Sequence, residues 1–384
     1  MRISVNAQAY EDESLTGIGR YTEYLYQHIW TIDSTNSYVF FSNRPSKKLQ
    51  EYGGNKVIFR KAPSPLVNKY IRVSWENFVL PILLFKHRID LLHCVNYSLP
   101  FVIPPQVKKI VTVHDLIWLK FPHYFPKDTV YAAKKRLQHA CIFSDAIITA
   151  SENTKKDVIE ASGCEEQKVV VIYNGVDYEA FSKVQKKSPL AHEVRQKYKL
   201  PEHFILWVGS YREHKNLELL CKAVQKAKTH SHLPHKLVFC GPGLLRERDI
   251  REISRIYNDD VVIIGPASAE ELSFLYAMAD VFVFPSLYEG FGLPVLEAMA
   301  AGTPVITSNI SSPPEVAGDA AILVNPLDVE EIADAIIKVT TDDNLKQTLV
   351  KKGRERAKQF SWEDTARKTL EVFMKVGFND TNWH

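Results

Sequence analysis

One stretch of the sequence predicts the fold around it: Pro285-Ser-Leu-Tyr-Glu-Gly-Phe-Gly-Leu-Pro-Val-Leu-Glu-Ala-Met-Ala-Ala-Gly302. The apolar run at residues 281–284 just before it is typical of a buried strand. A glycine-containing loop follows, and then a helix, because Pro294 suits a first helical turn and Gly302 suits a helix end. This order of strand, loop and helix is the building unit of a parallel α/β sheet.

Two carboxylates in this stretch are candidate ligand-binding groups. Glu289 lies on the predicted loop, and Glu297 lies about one turn inside the predicted helix. The N–H groups at residues 292–295 would face the same ligand at the positive end of the helix dipole, which suits a diphosphate. Glu289 could then reach past the phosphates, and Glu297 could bond a ribose diol. The alternative interpretation is a plain loop before a solvated helix, with two incidental acids.

Short apolar strands alternate with amphipathic helical patterns along the chain, and the strands are continuous apolar runs. After a strand pattern at the amino terminus, the first half has candidates at residues 39–42, 91–94, 110–113, 146–149 and 169–172. The second half has candidates at residues 204–209, 236–241, 261–265, 281–285, 303–307 and 321–324. The predicted fold class is therefore α/β, with two doubly wound, Rossmann-like domains.

A polar, lysine-rich segment near residues 182–203 predicts a domain boundary. We expect an amino-terminal domain at residues 1–186 and a second domain at residues 187–361. A last helix, at residues 362–384, is expected to pack back on the first domain. Ligands would bind in a cleft between the carboxyl edges of the two sheets.

Composition and charge exclude several classes of protein. The 384 residues are 45% apolar and 24% charged, which excludes a disordered or fibrous chain. The five cysteines form no C-x-x-C pair and no apolar run could span a bilayer, so we expect a reduced, cytoplasmic protein. The sequence has no basic block with interleaved aromatic residues, so nothing in it indicates nucleic acid as a partner. Residues 1–186 carry a net charge of +6 and residues 187–384 a net −3. The basic half could therefore contact an anionic membrane surface through Lys134-Lys-Arg136. The alternative is ordinary surface variation, with these residues on a solvated helix face.

The segment Glu289-Gly-Phe-Gly-Leu-Pro-Val-Leu-Glu297 resembles the E-x7-E signature of retaining GT-B glycosyltransferases, specifically glycosyltransferase family four. The resemblance covers nearly the whole chain, from a glycine loop at residues 16–20 to the helix near residue 362. It implies the GT-B fold, with two facing Rossmann-like domains and an interdomain cleft. It also implies a nucleotide-diphosphate sugar as donor, bound by a donor-binding domain at residues 187–361, and an acceptor-binding domain at residues 1–186.

The resemblance implies two catalytic residues, His114 and Glu289. His114 ends a strand of the first half, where the family has a histidine that contacts the donor sugar; a purely structural histidine is the alternative. Glu289 would position the sugar hydroxyls, and Glu297 would bind the ribose. The other residues expected at the donor are Gly17, Gly19, Gly209, Arg212, Lys215, Gly265, Gly290, Phe291, Gly292 and Leu293.

Residues 209–216 resemble the basic loop that holds the donor diphosphate in this family. Lys215 and Asn216 match the family pattern, whereas His214 stands where arginine is usual. Arg212 is expected to compensate through its longer reach. The alternative is a solvated basic turn.

Three further stretches match the family in weaker ways. Gly241-Pro-Gly243 is a second glycine loop, and the region around Gly265 resembles the part that contacts the nucleobase through its backbone. Residues 311–319 resemble a stretch seen in mannosyl- and rhamnosyl-type members, and this is the one hint about the sugar.

These residues predict a retaining hexosyltransferase that moves mannose from GDP-mannose to a glycan or lipid-linked acceptor in polysaccharide or O-antigen assembly. No Asp-x-Asp pair lies in a plausible cleft loop and no cysteine–histidine cluster is visible, so we expect no metal and no cofactor besides the nucleotide sugar. Two alternatives stay open: a nucleotide-sugar 2-epimerase of the same architecture, and a non-catalytic subunit that binds the sugar nucleotide. Turnover separates the three, because transfer needs an acceptor, epimerisation needs none, and a binding subunit shows neither.

Overall fold

The computed structural model describes residues 1–8, 10, 17–64, 68–241, 257 and 260–378. The chain forms two compact units, one of Met1–Gly175 with Trp362–His384 and the other of Val176–Ser361. Each unit is built on one parallel sheet with helices between its strands. Among the described helices, none is both long and apolar enough to cross a membrane.

The first unit has a seven-stranded sheet in the order β3-β2-β1-β4-β5-β6-β7. Its strands are β1 (Arg2–Asn6), β2 (Ser37–Ser42), β3 (Val57–Lys61), β4 (Leu91–Cys94), β5 (Lys108–Val113), β6 (Ala146–Thr149) and β7 (Val169–Val171). Its helices up to residue 175 are α1 (Gly17–Ile32), α2 (Lys47–Gly53), α3 (Lys69–Ser74), α4 (Leu80–Lys86), α5 (Ile117–Lys120), α6 (Lys127–Phe143) and α7 (Glu152–Ser162). A π-helical turn, Trp75–Val79, joins α3 to α4, so residues 69–86 form one continuous helical segment.

The second unit has a six-stranded sheet in the order β10-β9-β8-β11-β12-β13. Its strands are β8 (Phe204–Val208), β9 (Lys236–Cys240), β10 (Val261–Ile264), β11 (Val281–Phe284), β12 (Val305–Ser308) and β13 (Ile322–Val324). The helices formed by its described residues include α8 (Tyr178–Ser182), α9 (Pro189–Lys197), α10 (Leu217–Ser231), α11 (Ala269–Met278), α12 (Leu293–Ala301), α13 (Pro313–Ala317), α14 (Val329–Thr341) and α15 (Asp343–Ala357), and Tyr257 is also helical. All neighbouring strands in both sheets are parallel, which confirms the predicted fold class.

Two elements of the first unit differ from the sequence-based expectation. Strand β3 was not predicted, because it is a half-exposed edge strand that ends in charged residues and lacks a continuous apolar run. The glycine loop expected at residues 16–20 is helical where the structure describes it, because α1 includes Gly17 and Gly19.

Residues 176–186 belong to the second unit, whereas the sequence placed the boundary at residue 186. The Val176 amide donates to the Phe360 carbonyl at 3.0 Å. Helix α8 follows at once, and its Phe181 packs edge-on against Tyr276 with ring centroids 5.8 Å apart. These contacts tie the segment to the second sheet before its lysine-rich part begins.

The last helix, α16 (Trp362–Gly377), belongs to the first unit. Trp362 stacks on Tyr24 of α1 with ring centroids 5.4 Å apart. Thr365 donates to the Tyr173 carbonyl at 2.8 Å, and Phe373 lies against His93 of β4. The helix therefore completes the core of the unit that the chain leaves at residue 175.

Asp280 anchors the amino edge of the second sheet. Its Oδ2 accepts hydrogen bonds from the Phe204 amide at 3.1 Å and from His203 Nδ1 at 3.2 Å, and it lies 3.4 Å from His235 Nε2. Its Oδ1 accepts a hydrogen bond from Lys346 Nζ at 3.3 Å. Burial opposes the charged form, but hydrogen bonding from His235 and the charge of Lys346 outweigh it, so the pKa of Asp280 is held well below its usual range.

At the opposite edge, the ends of β8 and β9 approach each other closely. The Gly209 amide donates to the Cys240 carbonyl at 2.9 Å. A Cβ atom added at Gly241 would lie 1.9 Å from the Gly209 carbonyl oxygen, so only glycine fits there. Gly265, after the neighbouring strand β10, has no atom within 4 Å of such a Cβ atom.

We predict that Asp280→Asn lowers the free energy of unfolding by about 1.5–3 kcal/mol at pH 7, because charge-assisted hydrogen bonds are lost. The folded-state pKa is depressed, so this stabilisation is full above the unfolded pKa of about 3.9 and is lost as pH falls toward the folded value. Urea unfolding at a series of pH values measures both effects. Asp334→Asn, at an exposed site on α14, is the control. Equal effects of the two substitutions would contradict the anchoring role.

We predict that Gly241→Ala lowers the free energy of unfolding by about 1–3 kcal/mol, because the new methyl group overlaps the Gly209 carbonyl. Gly265→Ala should stay within about 0.5 kcal/mol of the unchanged protein. Urea unfolding of the two variants side by side measures the difference. A Gly241→Ala variant as stable as Gly265→Ala would show that the loops do not touch.

Candidate functional site

The second sheet brings two distant loops together. Its strand order places β8 beside β11, with the first three strands running to one side and the last three to the other. In parallel α/β sheets the loops at the carboxyl ends of such a strand pair form the ligand site. Here those loops are residues 209–216 and residues 285–292, and both contain residues that the sequence predicted for the donor.

Backbone and amide contacts hold these two loops in one arrangement. The Leu287 amide donates to the His214 carbonyl at 2.7 Å. The side-chain amide of Asn216 donates to the Pro285 carbonyl at 3.2 Å and also to the Pro326 carbonyl. Asn216 thereby has a structural role in joining the loops, and this role explains why it accompanies Lys215.

Lys215 and Glu289 form an ion pair at the centre of this edge. Lys215 Nζ lies 2.6 Å from Glu289 Oε1, and the side chains are only 15% and 12% exposed. The ammonium also lies 5.0 Å from the ring centroid of Phe284, the last residue of β11. A partly buried cation and carboxylate are thus held side by side where a charged ligand would bind.

Helix α12 begins beside this pair. It runs over Leu293–Ala301 with Pro294 in its first turn and Gly302 as its left-handed cap, which confirms the helix predicted from the sequence. Gly292 precedes it with φ of 114°, a conformation that favours glycine. Fewer N–H groups than expected are available to an anion at residues 292–295. Pro294 has no N–H, and the Val295 amide donates to the Gly292 carbonyl at 3.0 Å. The amides of Gly292 and Leu293 remain for an anion, since neither donates to the described part of the chain.

Two serines fix the backbone between Glu289 and the helix. The Ser311 hydroxyl accepts from the Glu289 amide at 3.1 Å and lies 2.9 Å from the Glu289 carbonyl oxygen. The buried Ser312 hydroxyl lies 2.9 Å from the Glu289 carbonyl oxygen and 2.7 Å from that of Phe291. Ser311 has φ of 63°, an uncommon conformation for a residue with a side chain. The sequence linked this stretch to the sugar, whereas the structure shows it supporting the Glu289 loop.

Glu297 lies one turn into α12 and is 7% exposed. Its Oε2 accepts a hydrogen bond from the buried Tyr276 hydroxyl of α11 at 2.9 Å. The hydrogen bond fixes the orientation of the carboxylate. Tyr276 was not identified from the sequence, where it is one of several aromatic residues in an apolar helix.

The basic loop has one surface cation and one buried neutral histidine. His214 is 4% exposed, and burial together with the neighbouring Lys215 and Arg212 lowers its pKa to about 3. It therefore carries no charge at neutral pH and cannot replace the arginine that the family has here. The Arg212 carbonyl accepts from the Lys215 amide at 2.9 Å, and the Arg212 side chain is exposed, with no hydrogen bond or ion pair to it among the described residues. Its predicted contact with an anion stays a prediction.

The remaining glycines predicted for the donor lie at carboxyl ends of strands. Gly209 follows β8 and Gly265 follows β10. Gly241 follows β9, while Pro242 and Gly243 of the same predicted loop lie outside the described residues. Gly290, Phe291 and Leu293 lie in the loop and helix start described above.

In the first unit, His114 follows β5. Its Nε2 lies 2.8 Å from the Val95 carbonyl oxygen, so Nε2 must carry the proton, and its ring packs edge-on to Tyr21 at 4.6 Å. Burial lowers the pKa of His114 below its ordinary value despite the Val95 hydrogen bond. A neutral ring with the proton on Nε2 has its acceptor at Nδ1, which could accept a hydroxyl hydrogen. The predicted contact between His114 and the sugar stays a prediction.

The first sheet has its own strand pair where the order reverses, β1 and β4. A small polar cavity lies at that point, lined by Gln8, Arg72, Glu76, Asn96, Ser98 and Arg136. The Ser98 hydroxyl donates to Glu76 at 3.1 Å, and burial raises the pKa of Glu76. The sequence analysis missed Glu76 and Arg72, and it placed Arg136 on a solvated or membrane-facing helix surface. The residues that line this cavity are far apart along the chain, so the sequence did not reveal that they lie together.

One group of potential metal ligands occurs in the described residues, and the sequence did not reveal it. It consists of His203, His235 and Asp280, which precede the adjacent strands β8, β9 and β11. This group lies at the amino edge of the sheet, opposite the Lys215–Glu289 pair. The Lys346 ammonium already pairs with Asp280, and this like charge disfavours a bound cation.

Comparison with known proteins agrees with this geometry. The family model for Glycosyltransferase Family 4 matches residues 15–180, and the model for Glycosyl transferases group 1 matches residues 191–356. The chain is 29% identical to the O-antigen chain mannosyltransferase B of Escherichia coli over 387 residues, which covers 94% of this chain and 96% of that protein.

Solved structures show the same architecture. Sucrose-phosphate synthase from Thermosynechococcus elongatus aligns with a TM-score of 0.78 at 21% identity, over 99% of this chain and 100% of that one. Anabaena HepE in complex with UDP and glucose aligns with a TM-score of 0.73 at 17% identity, over 97% and 99%. With both Rossmann-like sheets present and the two family models matching in succession, the chain belongs to the GT-B glycosyltransferases, with a family 4 domain followed by a group 1 domain.

Proposed function

We propose that this glycosyltransferase is a retaining mannosyltransferase that uses GDP-mannose. Its acceptor would be a glycan or a lipid-linked sugar in O-antigen or polysaccharide assembly. The relative that matches nearly the whole chain is an O-antigen chain mannosyltransferase, and this supports mannose as the sugar. The observation that carries the proposal is the Lys215–Glu289 pair beside the amino end of α12, where a sugar diphosphate would meet both charges.

The leaving group of the reaction is a nucleoside diphosphate, and this end of the second sheet could stabilise it. Lys215 and Arg212 supply positive charge, and the Gly292 and Leu293 amides supply aligned N–H donors at a helix amino terminus. Such donors act strongly where water is excluded. We propose that they do the work that a divalent metal does in other transferases, so that the enzyme needs no metal and no further cofactor.

The two carboxylates would have separate tasks. When the diphosphate binds, Lys215 would turn from Glu289 to the phosphates, and Glu289 would then accept hydrogen bonds from sugar hydroxyls. Glu297, oriented by Tyr276, would accept from the ribose diol. Because the serines at 311 and 312 fix the Glu289 backbone, the sugar would be held without reorganisation of the loop.

Retention would follow from attack on the face from which the diphosphate departs. The acceptor oxygen bonds to the anomeric carbon as the bond from that carbon to the phosphate oxygen breaks. The acceptor proton passes to the departing phosphate oxygen, so no enzymatic base is required. The family resemblance supports this course, and the cation cluster beside the diphosphate is consistent with it.

We predict that Lys215→Met lowers kcat for transfer by about 10²–10³, because a charged donor to the leaving diphosphate is removed. Lys222→Met is the matched control, since Lys222 pairs with Glu218 on the exposed side of α10. Initial rates with GDP-mannose and an acceptor, measured with a chelator present, test both the lysine and metal independence. Unchanged rates in Lys215→Met would remove the diphosphate role, and product formed without any acceptor would favour the epimerase.

We predict that GDP raises the unfolding temperature of the protein and that UDP, ADP and dTDP do so much less. At about 100 times its dissociation constant, a ligand adds roughly 2.7 kcal/mol of stability. Glu297→Gln should lose most of this shift because the charged acceptor for the ribose is gone, whereas Glu218→Gln should keep it. A larger shift with another nucleotide would overturn GDP as the donor base. An equal shift in Glu297→Gln would overturn the ribose contact.

A further inference from the structure

The helical segment at residues 69–86 presents an apolar stripe to solvent. Phe78, Ile82 and Phe85 are 71%, 67% and 72% exposed. Their spacing of four and then three residues places them on one side of a helix. Ile71, which precedes the π-helical turn of the segment, is also 56% exposed. Large exposed apolar patches of this kind on a folded protein mark interaction surfaces.

The core does not require this stripe. The inner side of the segment is formed by Leu80 and Leu84, which are fully buried in the core cluster of the first sheet, and by the buried Glu76. The segment is therefore apolar on its outer side in addition to its core-facing side. Exposed apolar side chains lower the solubility of a protein, and these side chains do not contribute to the core of the unit.

The stripe continues onto two neighbouring elements. The Phe101 amide donates to the Asn77 side chain at 2.7 Å, so the loop at residues 101–102 lies against the segment. The ring centroids of Phe101 and of His139 on α6 are 4.5 Å apart, and those of His139 and Phe143 are 4.7 Å apart. We name as the apolar surface the exposed apolar side chains of the helical segment, of the loop at residues 101–102 and of the end of α6: Ile71, Phe78, Ile82, Phe85, Phe101, Val102, Ile142 and Phe143.

Positive charge borders the apolar surface. Lys86 and Arg88 follow Phe85 directly, and Lys134 and Lys135 are exposed on α6. The one acid within residues 69–86 is Glu76, and it is buried on the inner side. Exposed aromatic and aliphatic side chains with a basic border match a bilayer interface that contains anionic lipid.

We propose that the apolar surface inserts into the headgroup region of an anionic membrane, with the basic border on the lipid phosphates. A second copy of this chain fits less well, because a symmetric contact would bring the two basic borders together. The link to a lipid-linked acceptor rests on the proposed function, whereas lipid binding itself does not depend on it. The surface differs from the one expected from Lys134-Lys-Arg136 alone, because apolar side chains contribute most of its area.

Co-sedimentation with vesicles tests the proposal. The full chain is mixed with vesicles of phosphatidylcholine alone or with added phosphatidylglycerol, without any nucleotide sugar. We expect binding to the phosphatidylglycerol vesicles that weakens with salt. Ile82→Gln combined with Phe85→Gln should lower the partition coefficient about tenfold or more, because two large apolar side chains no longer enter the interface. Leu327→Gln, at a 68% exposed site of the second unit, should bind as the unchanged protein does.

Three results would overturn the proposal: no binding by the unchanged protein, equal binding to both kinds of vesicle, or full binding by the double variant. Light scattering can give a fourth contradicting result. If the unchanged protein is a dimer and the double variant is a monomer, the apolar surface binds a second copy of the chain and not a membrane. Thermal unfolding and transfer to a water-soluble acceptor check that the double variant is folded. Both should be unchanged, because the replaced side chains are exposed and far along the chain from the donor residues. Transfer without lipid binding would leave the proposed function intact and reject only this inference.

Discussion

The adjacency of β8 and β11 is the constraint on which the second unit depends. Lys215 and Glu289 are 74 residues apart along the chain, yet they form a 2.6 Å ion pair. They can do so only because the sheet reverses its strand order between these two strands. Every other feature at this edge supports that meeting: the Leu287–His214 hydrogen bond, the Asn216 amide and the two serines under Glu289.

The same two strands are held at their other end by Asp280. This carboxylate ties the starts of β8 and β11 together through the Phe204 amide and through the histidines before β8 and β9. The two edges hold different groups. The amino edge has the Asp280 carboxylate with its hydrogen-bonding partners, whereas the carboxyl edge has the Lys215–Glu289 pair and the start of α12. We therefore expect the amino edge to act mainly in stability and propose ligand binding at the carboxyl edge.

What the sequence predicted correctly follows from one property of parallel sheets. Strands buried on both faces appear as continuous apolar runs, so all six strands of the second sheet were found, and Pro294 and Gly302 located α12. The edge strand β3 was missed because half of it faces solvent. The burial of His214 and the support given by Ser312 could not be predicted, because both depend on contacts between loops far apart in sequence. The apolar run at residues 79–85 shows the same limit: the sequence showed that it is too short to span a bilayer, but not that one side of a helix there would remain uncovered.

That helical segment joins two environments within the first unit. Its inner side carries Arg72 and Glu76 to the polar cavity at the carboxyl ends of β1 and β4, the position where an α/β sheet binds polar ligands. Its outer side carries Phe78, Ile82 and Phe85 to solvent. A helix is about 10 Å across with its side chains, so a sugar in the cavity and a lipid surface outside would be separated by little more than one helix. A lipid-linked acceptor has the same polarity, with a polar sugar joined to an apolar chain. The amphipathic order of this segment therefore gives a physical reason for an acceptor of that kind, independent of the relatives of the protein.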